Sequence, residues 1–247
     1  MNATVSASSA AVASGGAPSD TRAALLDAAE QLFSASGVEG TSVRAIVKAA
    51  RANLGAINYH FGTKERLALE VFARRLEPVN RERVARLDAL EKAAGRRKLK
   101  LEQIIEALVR PALENDADRT AGCDDFVRLF SRCFQEPNPE LKKFVEQQFA
   151  EVVQRFDAAI LRAVPGLNLG ELFWRMSFVL GALHHGQEMW LRFDQMPHPK
   201  LNAAAVKPDR EGFIQRIISF AAAGLVAPVS KSAKLRRVPR RSRASNR

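Results

Sequence analysis

The sequence predicts an all-α protein made of a small N-terminal helical domain followed by a larger helical domain. Three observations predict this class. Apolar residues recur at helical spacing along most of the chain, no β-branched run alternates with polar residues, and no hairpin dipeptide joins two apolar runs. Hydrophobic residues make up 47% of the 247 residues, which is enough to bury a core in both domains.

The chain starts with residues 1–19, which are rich in Ala, Ser and Gly and carry no charge. We expect a disordered arm here, because this composition cannot bury a core and lacks the basic start of a secretory signal. The small domain follows at residues 20–76. The apolar face of its first helix consists of Leu25, Ala28, Ala29, Leu32 and Phe33, and Gly37 ends that helix.

Two short helices joined by a tight turn are predicted to follow. Ser42 caps the first, whose apolar stripe is Val43, Ile46, Val47 and Ala50. We expect Asn53 to cap the second, which is about two turns long and too short to be stable alone. A short helix that is held by its neighbour and exposes polar groups is what a reader of the DNA major groove needs.

The remaining helices are predicted from capping residues and breaks. Thr63 caps a helix from Lys64 to about Leu76, which Pro78 is expected to bend or end. Pro111 falls inside a later helix and should kink it, opening space for a ligand. The larger domain spans residues 77–228, and its predicted helices are Asn80–Ala94, Lys100–Ala117, Cys123–Gln135, Pro139–Val164, Gly170–Gln195 and Asp209–Ala227.

Positive charge is concentrated in two places. The formal net charge is +11, and eight basic residues after Ser230 supply most of it, so the rest of the chain carries +3. Residues 229–247 are therefore predicted to be a disordered basic tail, which is a solvated end, a nonspecific DNA anchor or an interaction arm. Between Arg44 and Arg66 there are five basic residues and one acidic residue, a local surface that suits phosphates.

Several functional classes are disfavoured. No apolar run approaches the length of a membrane span, and no nucleophile–base pair, Gly-rich phosphate loop or carboxylate pair stands out. We therefore expect a cytoplasmic protein that is not an enzyme and has no cofactor. Cys123 and Cys133 lack metal or redox spacing. His184, His185 and Glu188 lack a recognisable further ligand, so no metal site is predicted.

The segment from Thr21 to Leu67 resembles the N-terminal DNA-binding domain of the TetR/AcrR family of transcriptional regulators. The matching pieces are R-A-A-L-L-D-A-A-E-Q-L-F-S-A-S-G, G-T-S-V-R-A-I-V-K-A-A and N-Y-H-F-G-T-K-E-R-L. The turn departs from the family's usual A-G-V-S. Here Arg51 replaces the glycine that takes a left-handed conformation, which carries a strain of roughly 1–2 kcal/mol.

The resemblance implies which side chains contact DNA. Tyr59, His60 and Lys64 match positions that grip the DNA backbone. Core packing is the alternative for the two aromatic rings, and a solvated side chain is the alternative for the lysine. Base reading would fall to the two short helices, where Asn53 has the alternative role of a simple helix cap. The whole predicted DNA-binding set is Ser42, Val43, Arg44, Asn53, Leu54, Gly55, Asn58, Tyr59, His60 and Lys64.

The larger domain resembles, more weakly, a branch of the family that includes regulators of fatty-acid metabolism. The matching pieces are F-V-R-L-F-S-R-C-F-Q-E-P-N-P-E-L and E-L-F-W-R-M-S-F-V-L-G-A-L. This implies a small-molecule effector, with a fatty acid or acyl compound as the first candidate. Most aromatic residues here are expected in the core, and the candidates for lining an effector pocket are Phe126, Phe130, Trp174, Phe178, His185 and Trp190.

In the family, the last two long helices pair with those of a second copy. The predicted dimer seam is Phe178, Gly181, Ala182, Phe213, Ile217 and Phe220, although residues of an internal core would show the same pattern. The resemblance thus implies a homodimeric, ligand-responsive repressor of a palindromic DNA operator. The alternative is a constitutive or architectural DNA-binding protein that has no effector.

Overall fold

The computed structural model describes residues 18–114, 129–130, 138–193 and 208–228. The regular secondary structure of these residues is helical, which confirms the predicted all-α class. Nearly all of the expected N-terminal arm, the basic tail and most of the helix predicted at Cys123–Gln135 lie outside the described residues. The described helices are α1 Pro18–Ser36, α2 Val43–Ala49, α3 Gly55–His60, α4 Lys64–Ala94, α5 Leu101–Glu114, α6 Pro139–Ala163, α7 Leu169–Leu191 and α8 Arg210–Val226.

Helix caps explain where several of these helices begin. The predicted caps at Ser42 and Thr63 are confirmed: their hydroxyl oxygens accept hydrogen bonds from the amides of Ala45 and Arg66, each at 3.2 Å. Side-chain caps also start the three long helices of the larger domain, at Asn138, Asn168 and Asp209. Each cap satisfies an amide that the first helical turn would otherwise leave without a partner.

The prediction that the Asn53 side chain caps α3 is wrong. The helix begins at Gly55, and the residue at its N-cap position is Leu54, whose side chain makes no capping hydrogen bond. The backbone carbonyl of Asn53 accepts the hydrogen bond from the Ala56 amide at 3.1 Å, so the turn is closed without the side chain. The exposed Asn53 side chain is thereby left available for another partner.

The turn between α2 and α3 confirms the left-handed conformation predicted at Arg51. Its φ is 53°, the only positive value for a non-glycine residue in the described part of the chain. The Ala52 amide donates to the Val47 carbonyl at 2.9 Å and the Arg51 amide to the Lys48 carbonyl at 3.2 Å. These two bonds form the Schellman arrangement that ends helices, and it requires a left-handed residue at this position.

Pro78 does not end the helix that precedes it. The two separate helices predicted on either side of it are one helix, α4, of 31 residues with Pro78 inside. A proline in a helix interior costs about 3 kcal/mol through a lost hydrogen bond and a ring clash. Burial on both sides outweighs this cost: Leu76 is 5% exposed before the proline, and Asn80 is 7% exposed after it.

Two apolar cores share helix α4. The first unites α1, α2, α3 and the start of α4, and it also takes in Leu141 and Val145 of α6. The second unites the later part of α4, from Leu87 onwards, with α5, α6, α7 and α8. Helix α4 packs against both α5 and α6. The N-terminal helices therefore pack against a helix that is also part of the core of the larger domain.

An ion pair network fixes α1 to α4. Glu30 is only 3% exposed, and its two carboxylate oxygens contact the guanidinium groups of Arg74 and Arg75, each at 2.5 Å. Arg74 also contacts Asp27 at 2.6 Å. Removing one partner of a buried ion pair leaves an uncompensated charge, which is strongly destabilising. The orientation of α1 on α4 is therefore well determined.

We predict that Arg51→Gly stabilises the protein by about 1 kcal/mol, because glycine adopts a positive φ without strain. The measurement is the shift in the urea unfolding midpoint of the N-terminal helices. Arg51→Ala is the control, since it removes the charge but keeps the strain, and it should leave the midpoint nearly unchanged. An unfolding midpoint that rises equally in both variants would point to charge repulsion instead.

Candidate nucleic-acid interface

Helix α3 has a buried side and a fully exposed side. Ala56 is 7% exposed and Ile57 is 1% exposed, so these two residues fasten the helix to the core beneath it. On the outer side, Tyr59 is 80% exposed and Leu54 is 56% exposed. Asn58 is exposed as well. A six-residue helix is not stable by itself, so its outer face is held in place by the buried pair.

The predicted base-reading residues of α2 and α3 lie as follows. Ser42 and Arg44 are exposed at the start of α2, whereas Val43 is half-buried and packs against the first core. Asn53 and Gly55 are exposed at the start of α3. Helix α2 contacts α3, so the exposed residues of both helices lie on neighbouring elements.

The rings of Tyr59 and His60 are in contact with each other. Their centroids are 4.8 Å apart and the rings meet edge to face, at 81°. His60 is half-buried and also lies 6.1 Å from the Phe61 ring, which is in the core. The Tyr59 side chain is thus outside the core, and His60 supports it from the inner side.

Lys64 connects the start of α4 to the loop between α1 and α2. Its ammonium group donates hydrogen bonds to the carbonyl oxygens of Val38 at 2.9 Å and Thr41 at 3.2 Å. The Thr41 hydroxyl in turn donates to the Gly37 carbonyl at 2.7 Å. Lys64 therefore has a structural role that the sequence analysis missed. The only signal was a cation in a first helical turn, where the helix dipole disfavours it.

Basic side chains lie on the segments that precede and follow α3. Four of the five cations between Arg44 and Arg66 are exposed, and Lys64 is the half-buried exception. The single carboxylate in this stretch is Glu65, whose pKa is lowered chiefly by a backbone hydrogen bond and by the hydroxyl of Thr63, so it is ionised. The exposed positive charge still exceeds it, which suits a surface that faces phosphates. The exposed cations are Arg44, Lys48, Arg51 and Arg66.

The residues proposed for an effector pocket do not form one group. Phe126 lies outside the described residues. Trp174 and Phe178 are 56% and 67% exposed, on the side of α7 opposite the buried Leu172 and Val179, so both lie on the outer surface. His185 is exposed too, whereas its neighbour His184 is half-buried.

The other two pocket candidates lie in aromatic contacts inside the larger domain. The Phe130 ring is 5.7 Å from the His184 ring and 6.1 Å from the Phe149 ring. The Trp190 ring stacks on Phe213 at 5.8 Å, and its indole nitrogen donates to the Pro208 carbonyl at 2.9 Å.

The described residues include no group of three or more His, Cys, Asp or Glu side chains that could hold a metal ion.

The residues predicted for a dimer seam divide into exposed and internal ones. Phe178 and Phe220 are 67% and 61% exposed, and Gly181 is exposed beside them. Ala182 is half-buried, Phe213 packs against Trp190, and Ile217 is only 7% exposed in the second core. Ile217 therefore packs within its own protomer. Further exposed apolar residues of α7 and α8 were not among the predicted seam residues, namely Leu169, Phe173, Leu180 and Val226.

Comparison with known proteins identifies the family. Residues 25–71 match the profile described as "Bacterial regulatory proteins, tetR family". Residues 106–224 match the profile described as "Tetracyclin repressor-like, C-terminal domain". The chain belongs to the TetR family. This confirms the resemblance read from the sequence, and the family is one of regulatory proteins rather than enzymes.

Curated transcriptional repressors match a short part of the chain. The HTH-type transcriptional repressor AcnR of Corynebacterium glutamicum is 41% identical over 58 residues. The match covers 24% of this chain and 31% of AcnR. AcnR of Corynebacterium efficiens gives the same identity and coverage. The similarity to these repressors thus spans about a third of their length.

Solved structures share the fold over most of the chain. The fatty acid degradation regulator FadR of Bacillus halodurans superposes with a TM-score of 0.56 at 16% identity, covering 83% of this chain and 96% of FadR. FadR of Bacillus subtilis, in complex with stearoyl-CoA, gives 0.53 at 14% identity, covering 82% and 98%. A transcriptional regulator of Saccharomonospora viridis, in complex with choline, gives 0.56 at 17% identity, covering 82% and 95%. These similarities establish a TetR-type fold.

None of the described helices of this chain is long and apolar enough to cross a membrane.

We predict that Lys64→Met destabilises the N-terminal helices by about 1–3 kcal/mol, because it leaves two carbonyl groups without their charged donor. Arg66→Met is the control, since Arg66 is an exposed cation two residues further along α4. Thermal unfolding of both variants measures the difference. If the melting temperatures of the two variants fall equally, the hydrogen bonds of Lys64 contribute no stability.

Proposed function

We propose that this TetR-family protein is a homodimeric repressor that binds a palindromic DNA operator through α2 and α3 and leaves it when a small effector binds the larger domain. One observation carries the proposal. The outer face of α3 exposes Asn58 and Tyr59, and Leu54 is exposed just before it, whereas Ala56 and Ile57 are buried; exposed cations lie on the segments before and after α3. A rigid, short helix with this surface fits the major groove.

The proposed contacts divide into positioning contacts and base-reading contacts. The Tyr59 hydroxyl and the exposed cations would bind phosphate oxygens, which fixes the protein on the duplex. Asn58 suits adenine, because its amide can both donate and accept at the base edge, and Leu54 suits a thymine methyl group. Arg44 would contact a guanine or a phosphate. Asn53 is free to join them, since its side chain does not cap α3.

The proposed dimer uses the outer faces of α7 and α8. Phe173, Trp174 and Phe178 form a row of exposed aromatic rings, with centroid distances of 5.5 Å and 6.4 Å between successive rings. Phe220 of α8 adds another exposed ring, and α7 packs against α8. Several neighbouring aromatic rings exposed to water are unfavourable, and such a patch is typical of a protein–protein interface. Two-fold symmetry would place two copies of α3 about one DNA turn apart, which calls for a palindromic site.

The effector is proposed from likeness alone. One structural neighbour carries stearoyl-CoA and another carries choline, so the shared fold accepts ligands of different chemistry. The sequence resemblance to regulators of fatty-acid metabolism favours an acyl compound. To change operator occupancy from nearly full to nearly empty, the effector must discriminate the two conformations by about 5 kcal/mol.

A constitutive or architectural DNA-binding protein is the alternative. The eight basic residues after Ser230 favour it, because they add affinity through counterion release without reading sequence. The two proposals differ in sequence selectivity and in their response to salt.

We predict that Tyr59→Ala abolishes selective binding to the DNA upstream of the protein's own gene, while a chain ending at Ser230 keeps it. Tyr59 is 80% exposed, so the variant should fold normally. The measurement is the dissociation constant for this DNA and for a scrambled duplex, at two salt concentrations. Lys92→Ala serves as the control, since Lys92 is an exposed cation in the last turn of α4.

Loss of selectivity in the Ser230 form, with a steep salt dependence of the full chain, would support the architectural alternative. If the Lys92 variant is impaired as much as the Tyr59 variant, the loss is not specific to α3, and α3 is then not the reader.

We predict that Phe178→Asp converts the dimer into a monomer, because a carboxylate in place of an exposed ring would be buried without a partner in the seam. Analytical ultracentrifugation gives the mass in solution. Val153→Asp is the matched control, since Val153 is 52% exposed on α6, away from the proposed seam. A wild-type protein that sediments as a monomer at all concentrations would contradict the proposed assembly.

A further inference from the structure

Arg83 is a buried cation in the middle of α4. Its residue surface is 6% exposed. Its Nε donates a hydrogen bond to the Leu108 carbonyl of α5 at 2.8 Å, and one Nη donates to the Asn80 side-chain oxygen at 2.9 Å. Asn80 is held in turn by the bond from its amide nitrogen to the Gln148 carbonyl of α6, at 2.7 Å. The guanidinium group is thus fixed in orientation between three helices.

Within the described residues, no carboxylate pairs with Arg83. Other arginines of this domain do have such partners: Arg175, which is 8% exposed, contacts Glu171 at 2.9 Å, and Arg86 contacts Glu82 at 2.7 Å. Burial lowers the pKa of Arg83 to about 10, which leaves it charged at neutral pH. A buried charge without a counterion is costly, so its presence at this position requires an explanation.

Most of the donors of Arg83 have no acceptor among the described residues. A guanidinium group has five N–H donors, and two of them have acceptors among the described residues. The three that remain are on the two Nη nitrogens. Paired N–H groups on adjacent Nη atoms match the two oxygens of one carboxylate.

A row of aromatic rings leads away from this guanidinium. Its central carbon lies 5.7 Å from the centre of the Phe149 ring. Phe149 is 6.1 Å from Phe130, and Phe130 is 5.7 Å from His184 of α7. Burial is the main cause that lowers the pKa of His184, so this ring is neutral at pH 7. We call these residues, Arg83, Phe149, Phe130 and His184, the Arg83 row.

We propose that the Arg83 row is the effector site and that its guanidinium binds the carboxylate of an organic acid whose apolar body lies against the aromatic rings. The inference rests on the effector-responsive function proposed above and specifies the chemistry of the ligand. A carboxylate would supply both the countercharge and the acceptors that the described residues do not provide for Arg83. A ligand in the site would contact α4, α6 and α7 together, and α4 continues from the proposed DNA-binding helices.

The test measures binding to the full-length protein without DNA, by isothermal titration calorimetry. The probes are octanoate, dodecanoate and 4-phenylbutanoate, each paired with its carboxamide, which has the same body without the charge. The variants are Arg83→Gln, Arg83→Lys and the control Arg86→Gln, which removes a cation from the same helix that already has carboxylate partners.

We expect at least one carboxylate to bind the wild type and the Arg86 variant more tightly than its carboxamide. Arg83→Gln should weaken the carboxylate by roughly tenfold to a hundredfold and leave the carboxamide unchanged, since one charge-assisted contact is lost. Arg83→Lys should retain part of the preference. Equal binding of carboxylate and carboxamide to the wild type, or no binding of any probe, overturns the proposal. So does an equal loss in the Arg86 variant.

Thermal unfolding without ligand separates a binding role from a structural one. Arg83→Gln should be at least as stable as the wild type, because it removes an uncompensated buried charge. A large drop in melting temperature, with an unchanged preference for carboxylates in Arg83→Lys and Arg83→Gln, would make Arg83 a structural residue. If Arg83→Gln does not fold, the wild-type preference and the Arg83→Lys variant decide the question.

DNA binding is measured separately, so the two proposals can fail independently. Arg83→Gln should still bind the operator but should no longer be released by the carboxylate. Selective carboxylate binding without selective DNA binding would contradict the repressor function and leave the site intact. Selective DNA binding without carboxylate preference would do the reverse.

Discussion

The continuity of α4 is the constraint on which the rest of the structure depends. Its first half supplies Leu67 and Phe72 to the core of the N-terminal helices, and its later part supplies Leu87 to the core of the larger domain. The pair of arginines that holds Glu30 lies between these two parts. A rigid helix shared by two cores transmits any tilt imposed at one end to the other. The proposed operator-binding surface and the proposed effector site would thereby be mechanically coupled.

The reading helix is stable only because of this support. Six residues of helix provide too few hydrogen bonds to offset the cost of nucleation, so the inner residues Ala56 and Ile57 and the following Phe61 supply the stability. Lys64 adds two bonds that join the start of α4 to the loop ahead of α2. The outer face of α3 is exposed, so its residues are not tied to the core of the protein.

Three features cost stability and coincide with the proposed functions. Arg51 holds a strained left-handed turn beside the reading helix, Arg83 buries a charge without a described counterion, and α7 exposes aromatic rings. Local preferences would place glycine at position 51, an apolar residue at position 83 and polar side chains on the outer face of α7. Departures of this kind concentrate where a protein contacts something else. Here they coincide with the proposed DNA surface, the proposed effector site and the proposed dimer seam.

The sequence by itself determined what depends on neighbours along the chain. Helical periodicity predicted the all-α class, Ser42 and Thr63 were recognisable as caps, and the position of Arg51 predicted its left-handed conformation. Only the tertiary structure decided what depends on residues far apart. Helix α4 continues through Pro78 because residues on both sides of the proline are buried. Lys64 donates hydrogen bonds to carbonyl groups 23 and 26 residues earlier in the chain. Ile217 is buried in the core, whereas Phe220 is exposed. Local hydrogen bonds and backbone preferences are encoded within a few residues, whereas the face that a helix buries is chosen by all the elements that pack against it.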